Sequence, residues 1–323
     1  MRSTLRLLTL ALLAAVLALP AAAIAAAYPA KQLTFIVPFP AGGRTDLIAR
    51  MYAVHLGKQL GNTVVVVNKA GASGVLGAQE VKQAAPDGYT LGFFSTSIVT
   101  SQYTVATPVS LRDFEIISIV NEDPAAIAVH AGAPWKTLRE LVDSAKKTPG
   151  KLRIGMIPGA SAQIFAGGFT KVAGVQMVMV PFKGDADGAI ALAGGHIDVH
   201  VAVPVSYKAL AEARKIRILG IAAENRSPLY KDLQTFRENG VDLVIGAFHG
   251  VYAPKGTPAD AMNTISAALA RVANSPELIE QMNSAGAGLV YLGRAEAPTY
   301  LARQDQVYKR VIEDLGMAVA APK

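Results

Sequence analysis

Short apolar runs alternate with amphipathic stretches along most of this chain, and loops rich in glycine and proline separate them. The run at 33–37 ends at Pro38 and predicts a short buried strand. Turn-forming residues fill 38–43, and apolar positions at helical spacing follow Thr45 and Asp46, either of which can cap a helix. This order exposes unpaired backbone N–H groups at the positive end of a helix dipole. We therefore expect an anion site here that holds a carboxylate.

The same alternation continues along the chain and predicts an α/β fold. Apolar and β-branched runs predict further strands at 64–67, 89–94, 114–120, 125–130, 152–157, 175–180, 197–203, 216–222 and 247–253. Periodic apolar positions predict further helices at 75–84, 137–147, 162–172, 190–193, 258–273, 276–285 and 295–315. The unbroken β-branched run at 64–67 also predicts a strand that is buried on both faces.

The order of these elements predicts two lobes. A second unit begins near Pro134, and the chain returns to the first unit after Gly240. We expect lobe I to comprise residues 28–124 and 241–323, and lobe II residues 125–240. Two α/β lobes joined by crossing strands favour a clamshell, or Venus flytrap, with the ligand in its cleft.

Two strand-to-helix loops form a pair in this arrangement. One is 38–44 in lobe I, and the other is 158–161 in lobe II. Ligands of parallel α/β sheets bind at the carboxyl ends of the strands. We expect backbone N–H groups from both loops to hold one anion.

The first 27 residues predict a secretory signal peptide. Arg2 and Arg6 precede an apolar stretch at 7–19, and small residues follow it. The cleavage rule then makes Tyr28 the mature N-terminus. A retained membrane anchor is the alternative, but the apolar stretch is shorter than a span of about 20 residues.

Composition narrows the class of protein further. The chain has 323 residues, no cysteine and a formal net charge of +7. The lack of cysteine excludes disulfides, cysteine-ligated metals and a lipid anchor on an N-terminal cysteine, and it fits a bacterial periplasm. The basic residues are scattered rather than interleaved with aromatic residues, which disfavours nucleic-acid binding. A mild positive charge helps to attract small anions.

The spacing of other motifs argues against a cofactor, a metal or catalysis. The glycines at 71–77 do not follow the G-x-G-x-x-G pattern of dinucleotide binding. On a strand, His196 and His200 lie roughly 13 Å apart at about 3.3 Å per residue, too far to share one metal ion. The sequence also shows no nucleophile with an evident base. We therefore expect no enzyme activity and no cofactor.

An ordered set of motifs resembles the Bug family of extracytoplasmic solute receptors, the substrate-binding proteins of tripartite tricarboxylate transporters. The motifs lie at 38–46, 49–50, 66–74, 77–78, 85–91, 148–152, 180–184, 194–198 and 252–258. The resemblance implies a two-lobe periplasmic binding protein of type II-like fold, whose two β/α loops hold a carboxylate through backbone donors, hydroxyls and ordered water. It also implies membrane components of the transporter, or sometimes a signalling protein, as partners.

The candidate ligand-binding residues lie in these loops or at strand ends. They are Phe39, Ala41, Gly42, Gly43, Arg44, Thr45, Asp46, Ser95, Thr96, Ser97, Pro158, Gly159, Ala160, Ser161, Ala162, Phe182, Lys183 and His249. Only one or two of the hydroxyls at 95–97 are expected to reach the ligand.

Several candidates have an alternative interpretation. Arg44 stands where the family usually has Ser or Ala, and it either pairs with a ligand carboxylate or is a solvated arginine at a helix start. Asp46 is expected to shape the loop, because its carboxylate would repel an anion. Lys183 either meets the anion or lies on the surface, and His249 either lines the cleft or belongs to the core or hinge.

Together these features predict a monomeric periplasmic receptor. It captures a small carboxylate, either a dicarboxylate or an aromatic acid, and delivers it to a tripartite tricarboxylate transporter. The alternatives are a sensory receptor for an organic acid that signals to a membrane kinase, and an exported enzyme that acts on a carboxylated substrate.

Overall fold

The structure, a computed structural model, describes residues 28–158 and 161–319. The predicted signal peptide therefore lies outside the described residues. Strands and helices alternate along the described chain, which confirms the predicted α/β fold. No helix in the described ranges is long and apolar enough to cross a membrane.

The strands form two separate sheets. They are β1 (Leu33–Val37), β2 (Val64–Asn68), β3 (Thr90–Ser95), β4 (Phe114–Pro124), β5 (Ala126–His130), β6 (Arg153–Met156), β7 (Val178–Pro181), β8 (Val199–Ala202), β9 (Ile216–Ile221), β10 (Gly246–Pro254) and β11 (Leu289–Leu292).

The helices pack on the faces of these sheets. They are α1 (Arg44–Leu60), α2 (Val75–Gln83), α3 (Ser97–Thr104), α4 (Leu138–Lys147), α5 (Ser161–Ala173), α6 (Asp185–Ala193), α7 (Lys208–Glu212), α8 (Ala259–Ala273), α9 (Pro276–Ser284) and α10 (Ala297–Asp314). Short 3₁₀ helices lie at Ala72–Gly74, Leu111–Asp113, Pro204–Tyr207 and Arg237–Asn239.

Lobe I is built on a 6-stranded sheet with the order β11-β4-β10-β3-β1-β2. Strands β2, β1 and β3 are parallel, whereas β10 runs antiparallel to β3 and β4. The carboxyl ends of the parallel strands therefore lie at the edge where β10 begins and β4 ends. Fully buried aromatic side chains such as Phe35, Tyr52 and Phe93 fill the core on one face of this sheet.

Lobe II is built on a 5-stranded sheet with the order β7-β6-β8-β5-β9. Strands β7, β6 and β8 are parallel, and β5 runs antiparallel to both of its neighbours. The two sheets with their helices confirm the predicted two-lobe fold. The exact lobe boundaries stay a prediction.

The chain crosses between the sheets at two adjacent places. Strand β4 leads into β5 through Ala125 alone, and residues 222–245 lead from β9 to β10. Backbone hydrogen bonds join these crossings: Ala125 N donates to Ile245 O at 2.9 Å, Ile245 N to Ala222 O at 3.0 Å, and Ala222 N to Ala125 O at 2.7 Å. We call these three residues the junction. Helix α10 also links the lobes, because it contacts both α3 and α5.

Some predictions about single elements were wrong. Strand β2 is half-buried along its length, because it lies at the edge of its sheet rather than inside it. Helix α1 begins at Arg44 with Gly43 as its N-cap, so neither Thr45 nor Asp46 caps it. Strand β11 and helix α3 were not predicted, and α6 begins at Asp185, well before the predicted start.

Candidate functional site

The loop after β1 presents an exposed turn at the carboxyl edge of the lobe I sheet. Ala41, Gly42 and Gly43 are exposed, and Gly43 N approaches Pro40 O at 3.4 Å. Gly42 has φ +83, which glycine adopts without strain. The first backbone bond of α1 runs from Leu47 N to Gly43 O. The amides at 44–46 precede that bond and have no acceptor within the helix.

Asp46 and Asn68 hold this turn from below. Asp46 is almost fully buried, and its Oδ2 accepts from Gly42 N and from Arg50 Nε, each at 2.9 Å. Asn68 Nδ2 donates to Asp46 Oδ1 at 2.9 Å and to Phe39 O at 3.0 Å. Burial alone would raise the pKa of Asp46, but these hydrogen bonds lower it to about 2. The turn is therefore fixed before any ligand arrives.

Arg44 points to an internal carboxylate. Its Nε and Nη2 lie 2.9 Å and 2.6 Å from Asp123 Oδ2, and Nη2 also donates to Gly286 O at 3.2 Å. Asp123 Oδ1 accepts from Gly288 N at 2.9 Å. Arg44 is therefore not a solvated arginine, because its guanidinium fastens α1 to the end of β4. Its pairing with a ligand carboxylate stays a prediction.

Thr45 and His249 lie beneath the turn and belong to a buried hydrogen-bond chain. Thr45 Oγ1 lies 3.1 Å from His249 Nε2, and His249 Nδ1 lies 2.6 Å from Asn121 Oδ1. Asn121 Nδ2 donates to Gly288 O at 2.6 Å. Burial, aided by the nearby Arg44 cation, lowers the pKa of His249 to about 3, so the ring is neutral. Both side chains are buried, and both ring nitrogens of His249 have partners, which is the core role that the sequence left open for His249.

The hydroxyls after β3 divide into two groups. Thr96 is buried, and its Oγ1 accepts from Phe248 N at 2.9 Å, so this candidate supports β10 rather than facing a ligand. Ser95 Oγ donates to Ser97 Oγ at 3.2 Å, and both serines are half-buried. A β-carbon placed on Gly74 would lie 2.8 Å from Ser97 Oγ and 3.6 Å from Phe39 Cζ. The structure thus brings Phe39 and Ser97 together beside the turn.

The lobe II candidates lie at the carboxyl ends of β6 and β7. Pro158 is exposed, Ser161 begins α5 and is half-buried, and Ala162 is buried. The candidates Gly159 and Ala160 lie outside the described residues. Phe182 is half-buried and donates its backbone N–H to Met156 O at 2.9 Å, whereas Lys183 is exposed.

A buried polar group behind Phe182 was not predicted from the sequence. The Phe182 ring meets His200 edge-on at a centroid distance of 6.3 Å, and His200 Nδ1 lies 3.0 Å from the Tyr207 hydroxyl. Burial lowers the pKa of His200 to about 4, and it raises the pKa of Asp185, which accepts from Ser206 Oγ at 3.2 Å. Both shifts have burial as their cause, because a low-dielectric surrounding disfavours the charged form of each group.

The lobes touch beside the lobe I turn. Gly286, in the loop before β11, carries the carbonyl that Arg44 holds, and it faces Val205 of lobe II. Tyr230 also lies near, because its hydroxyl oxygen would be 3.9 Å from a β-carbon placed on Gly286. No local sequence pattern predicts this contact, since its members are far apart along the chain.

Taken together, the described residues offer a fixed turn of backbone amides, half-buried serine hydroxyls and an aromatic ring. Such a surface binds a small anion by hydrogen bonds. Within the ranges that the structure describes, no group of three or more histidine, aspartate or glutamate side chains is arranged to hold a metal ion.

Comparisons with known proteins give consistent results. A family model described as "Tripartite tricarboxylate transporter family receptor" matches residues 48–317. A TctC solute binding protein from Polaromonas has 32% sequence identity and a TM-score of 0.83, over 89% of this chain and 99% of that chain. R. palustris Rpa4515 with adipate has 26% identity and a TM-score of 0.73, over 90% and 99% of the chains. MatC from Rhodopseudomonas palustris with bound malate has 26% identity and a TM-score of 0.66, over 89% and 99%.

Proposed function

Because this chain belongs to the tripartite tricarboxylate transporter receptor family, we propose that it captures a small dicarboxylate between its lobes and delivers it to such a transporter. Members of this family are periplasmic solute-binding receptors rather than enzymes. We infer that this chain is exported to the periplasm by removal of residues 1–27 and acts there as a monomer without catalysis.

The observation that carries the proposal is the fixed turn at the start of α1. Its exposed residues 41–43 and the amides that follow, which have no acceptor within the helix, form what we call the cradle for one carboxylate group. The bonds from Asp46 and Asn68 hold this cradle in shape, so a ligand does not have to order it. Preorganisation of this kind raises affinity by lowering the entropic cost of binding.

Two solved neighbours with bound ligands support the proposed ligand class. Rpa4515 holds adipate and MatC holds malate, and both ligands are dicarboxylates. In our proposal one carboxylate occupies the lobe I cradle, with Ser95 or Ser97 as a further donor. The second carboxylate meets the lobe II loop at 158–161, where the Ser161 hydroxyl and the start of α5 supply donors.

Closure of the lobes follows from this division of the site. Each lobe holds one end of the ligand, so only the closed form satisfies both ends. A ligand with this differential affinity shifts the equilibrium toward the closed state. The lobes meet at Gly286 and Val205 in this structure, and we propose that closure uses this contact.

A screen of organic acids tests the binding proposal. Protein stripped of co-purified ligand is heated with C4 to C6 dicarboxylates, with their monocarboxylate analogues and with aromatic acids. A true ligand at 100 times its dissociation constant should stabilise the fold by about 2.7 kcal/mol. The proposal fails if no acid raises the melting temperature and calorimetric titration also detects no binding. Mass spectrometry of the recovered ligand tests for turnover, and an unchanged acid is expected.

Delivery to a transporter needs a separate experiment. Cells that lack this chain should lose uptake of the radiolabelled acid found in the screen, and the full-length gene should restore it. If uptake continues unchanged while an acid-dependent transcriptional response is lost, the chain is a sensory receptor instead.

Mass spectrometry of the periplasmic protein should find Tyr28 at its N-terminus, and recovery of Met1 on a membrane-bound product would contradict export by cleavage.

A further inference from the structure

A cavity lies between the lobes, on the side of α10. We call it the seam cavity, and its volume is about 590 Å³, which is in the range of small-molecule sites. Its walls are Lys171, Val172, Glu224, Arg237, Asp242, Leu243, Val244, Arg303, Gln304, Val307, Arg310, Val311 and Asp314. Nothing in the proposed transport function uses these residues.

The seam cavity is separate from the proposed carboxylate site. Both involve α5, but at opposite ends: Ser161 begins the helix, and Lys171 lies in its last turn. Ten residues of helix at about 1.5 Å per residue place these positions roughly 15 Å apart. Lys171 in the wall of the seam cavity therefore lies well away from the Ser161 end of the proposed carboxylate site.

Both lobes contribute charged groups to the seam cavity. Lys171 of lobe II pairs with Asp314 of α10 at 3.7 Å, and Arg303 of α10 pairs with Glu224 at 3.3 Å. Arg237 pairs with Asp242 at 2.6 Å and also with Glu224. Every carboxylate in the wall is therefore matched by a cation.

One cation in the wall is left over. Arg310 is exposed on α10, and among the residues that the structure describes it has no hydrogen bond or ion pair. The wall thus carries Lys171, Arg237, Arg303 and Arg310 against three carboxylates. This excess favours an anionic guest.

Gln304 supplies a second polar group without a partner, the oxygen of its side-chain amide. It is only 2% exposed, and its Oε1 has no hydrogen-bond partner in the described ranges. A buried amide oxygen without a partner is unfavourable, and a guest that donates a hydrogen bond removes that penalty. The terminal torsion of glutamine is soft, so the amide can turn toward the cavity. Val172, Val307 and Val311 line the cavity beside it.

We propose that the seam cavity binds an amphipathic organic anion that carries a hydrogen-bond donor. Its acidic group pairs with Arg310, its apolar body lies along the valines, and its donor meets Gln304. Because both lobes form the walls, such a guest stabilises the lobe arrangement in which the cavity is complete. The site is distinct from that of the proposed transported ligand.

The dye 8-anilinonaphthalene-1-sulfonate is a suitable probe, because it combines a sulfonate, aromatic rings and an N–H donor. The mature chain is titrated with the dye, and fluorescence reports its affinity. Arg310→Glu should weaken binding by about tenfold, since repulsion replaces the attraction of an exposed ion pair. Gln304→Met keeps the shape of the side chain but removes the acceptor, and should weaken binding about threefold.

Arg112→Glu is the matched control. Arg112 is also exposed and lines another cavity, of about 420 Å³, so the same charge reversal there should leave dye binding unchanged. Circular dichroism melts identify any variant that does not fold, and Arg310 is exposed enough to be replaced without loss of the fold. The proposal is overturned if Arg310→Glu binds the dye as tightly as the wild type, or if Arg112→Glu weakens binding equally.

Discussion

Gly286 of lobe I and Val205 of lobe II approach so closely that a β-carbon on Gly286 would lie 2.3 Å from Val205 Cγ2. No side chain with a β-carbon can occupy position 286 unless one of the two segments moves. Gly286 also has φ +61, which favours glycine. The contact joins a loop next to the proposed cradle to the segment after β8.

Gly286→Ala should therefore hold the lobes apart. We expect weaker binding of the dicarboxylate and a larger radius of gyration in small-angle scattering with ligand, because the added methyl group blocks the closed contact. Gly256→Ala is the control, since Gly256 has a similar φ of +84 but no atom within 4 Å of the added carbon. Adding Val205→Ala should restore part of the affinity. Identical behaviour of the two glycine variants would show that closure does not use this contact.

Arg44→Ala should affect stability more than ligand choice. Removing the guanidinium leaves the buried carboxylate of Asp123 without its cation, and breaking such a pair typically costs about 3–5 kcal/mol. Urea unfolding should show this loss, and the double variant with Asp123→Asn should lose less than the sum of the single variants. Dicarboxylate and monocarboxylate affinities should fall by the same factor. A selective loss of dicarboxylate binding would show instead that Arg44 contacts the ligand.

Asp46→Asn should loosen the cradle. The asparagine side chain has an NH₂ group in place of one carboxylate oxygen, and that group cannot accept the hydrogen bonds from Gly42, Arg50 or Asn68. We therefore expect the free energy of unfolding to fall by about 1.5–3 kcal/mol at pH 7. Carboxylate binding should also weaken. The pKa of Asp46 is lowered to about 2, so its stabilising effect is complete above its unfolded pKa near 4 and is lost as the pH falls toward 2. Asp260→Asn is the control, because Asp260 is an exposed aspartate in the first turn of α8. Equal effects of the two variants on ligand affinity would contradict this role.

His249 should make the fold sensitive to mild acid. Its pKa is lowered to about 3 in the folded protein, below the unfolded value near 6.5. The unfolded chain therefore binds the proton first, and stability falls as the pH drops below 6.5, by about 2 kcal/mol at pH 5. Melting temperatures at pH 7 and pH 5 should differ less for His249→Gln than for the wild type. The exposed His196→Gln should match the wild type, and equal slopes in all three proteins would contradict the prediction.

Local patterns predicted much of the fold. Strand β1 has its predicted bounds. Helix α4 was predicted from Thr137 onward, and the Thr137 side chain caps it by accepting from Glu140 N at 3.2 Å. Helix α3 was missed because its serines and threonines show no apolar periodicity. Strand β11 was missed because it has only four residues, and its pairing with β4 is irregular.

The candidate site was predictable in place but not in its internal contacts. The glycine turn and the start of α1 follow from local sequence. Arg44 and Asp123 are 79 residues apart, and Thr45 and His249 are 204 apart, so nothing in the local pattern pairs them. Local sequence therefore left ligand-binding and other roles open for Arg44 and His249 and suggested a ligand contact for Thr45. The folded chain uses all three side chains to fasten the turn to β4 and β10.

The junction of Ala125, Ala222 and Ile245 determines how the lobes can move. Its three backbone bonds form a closed set that a large bend at any one residue would break. Opening must then occur as a rotation of whole lobes, with small torsional changes shared by the residues on either side. The structure of each lobe, taken by itself, should be the same in the free and the ligand-bound protein. The amide protons of Ala125, Ala222 and Ile245 should exchange with deuterium slowly in both forms, because we expect their hydrogen bonds to persist while the lobes rotate.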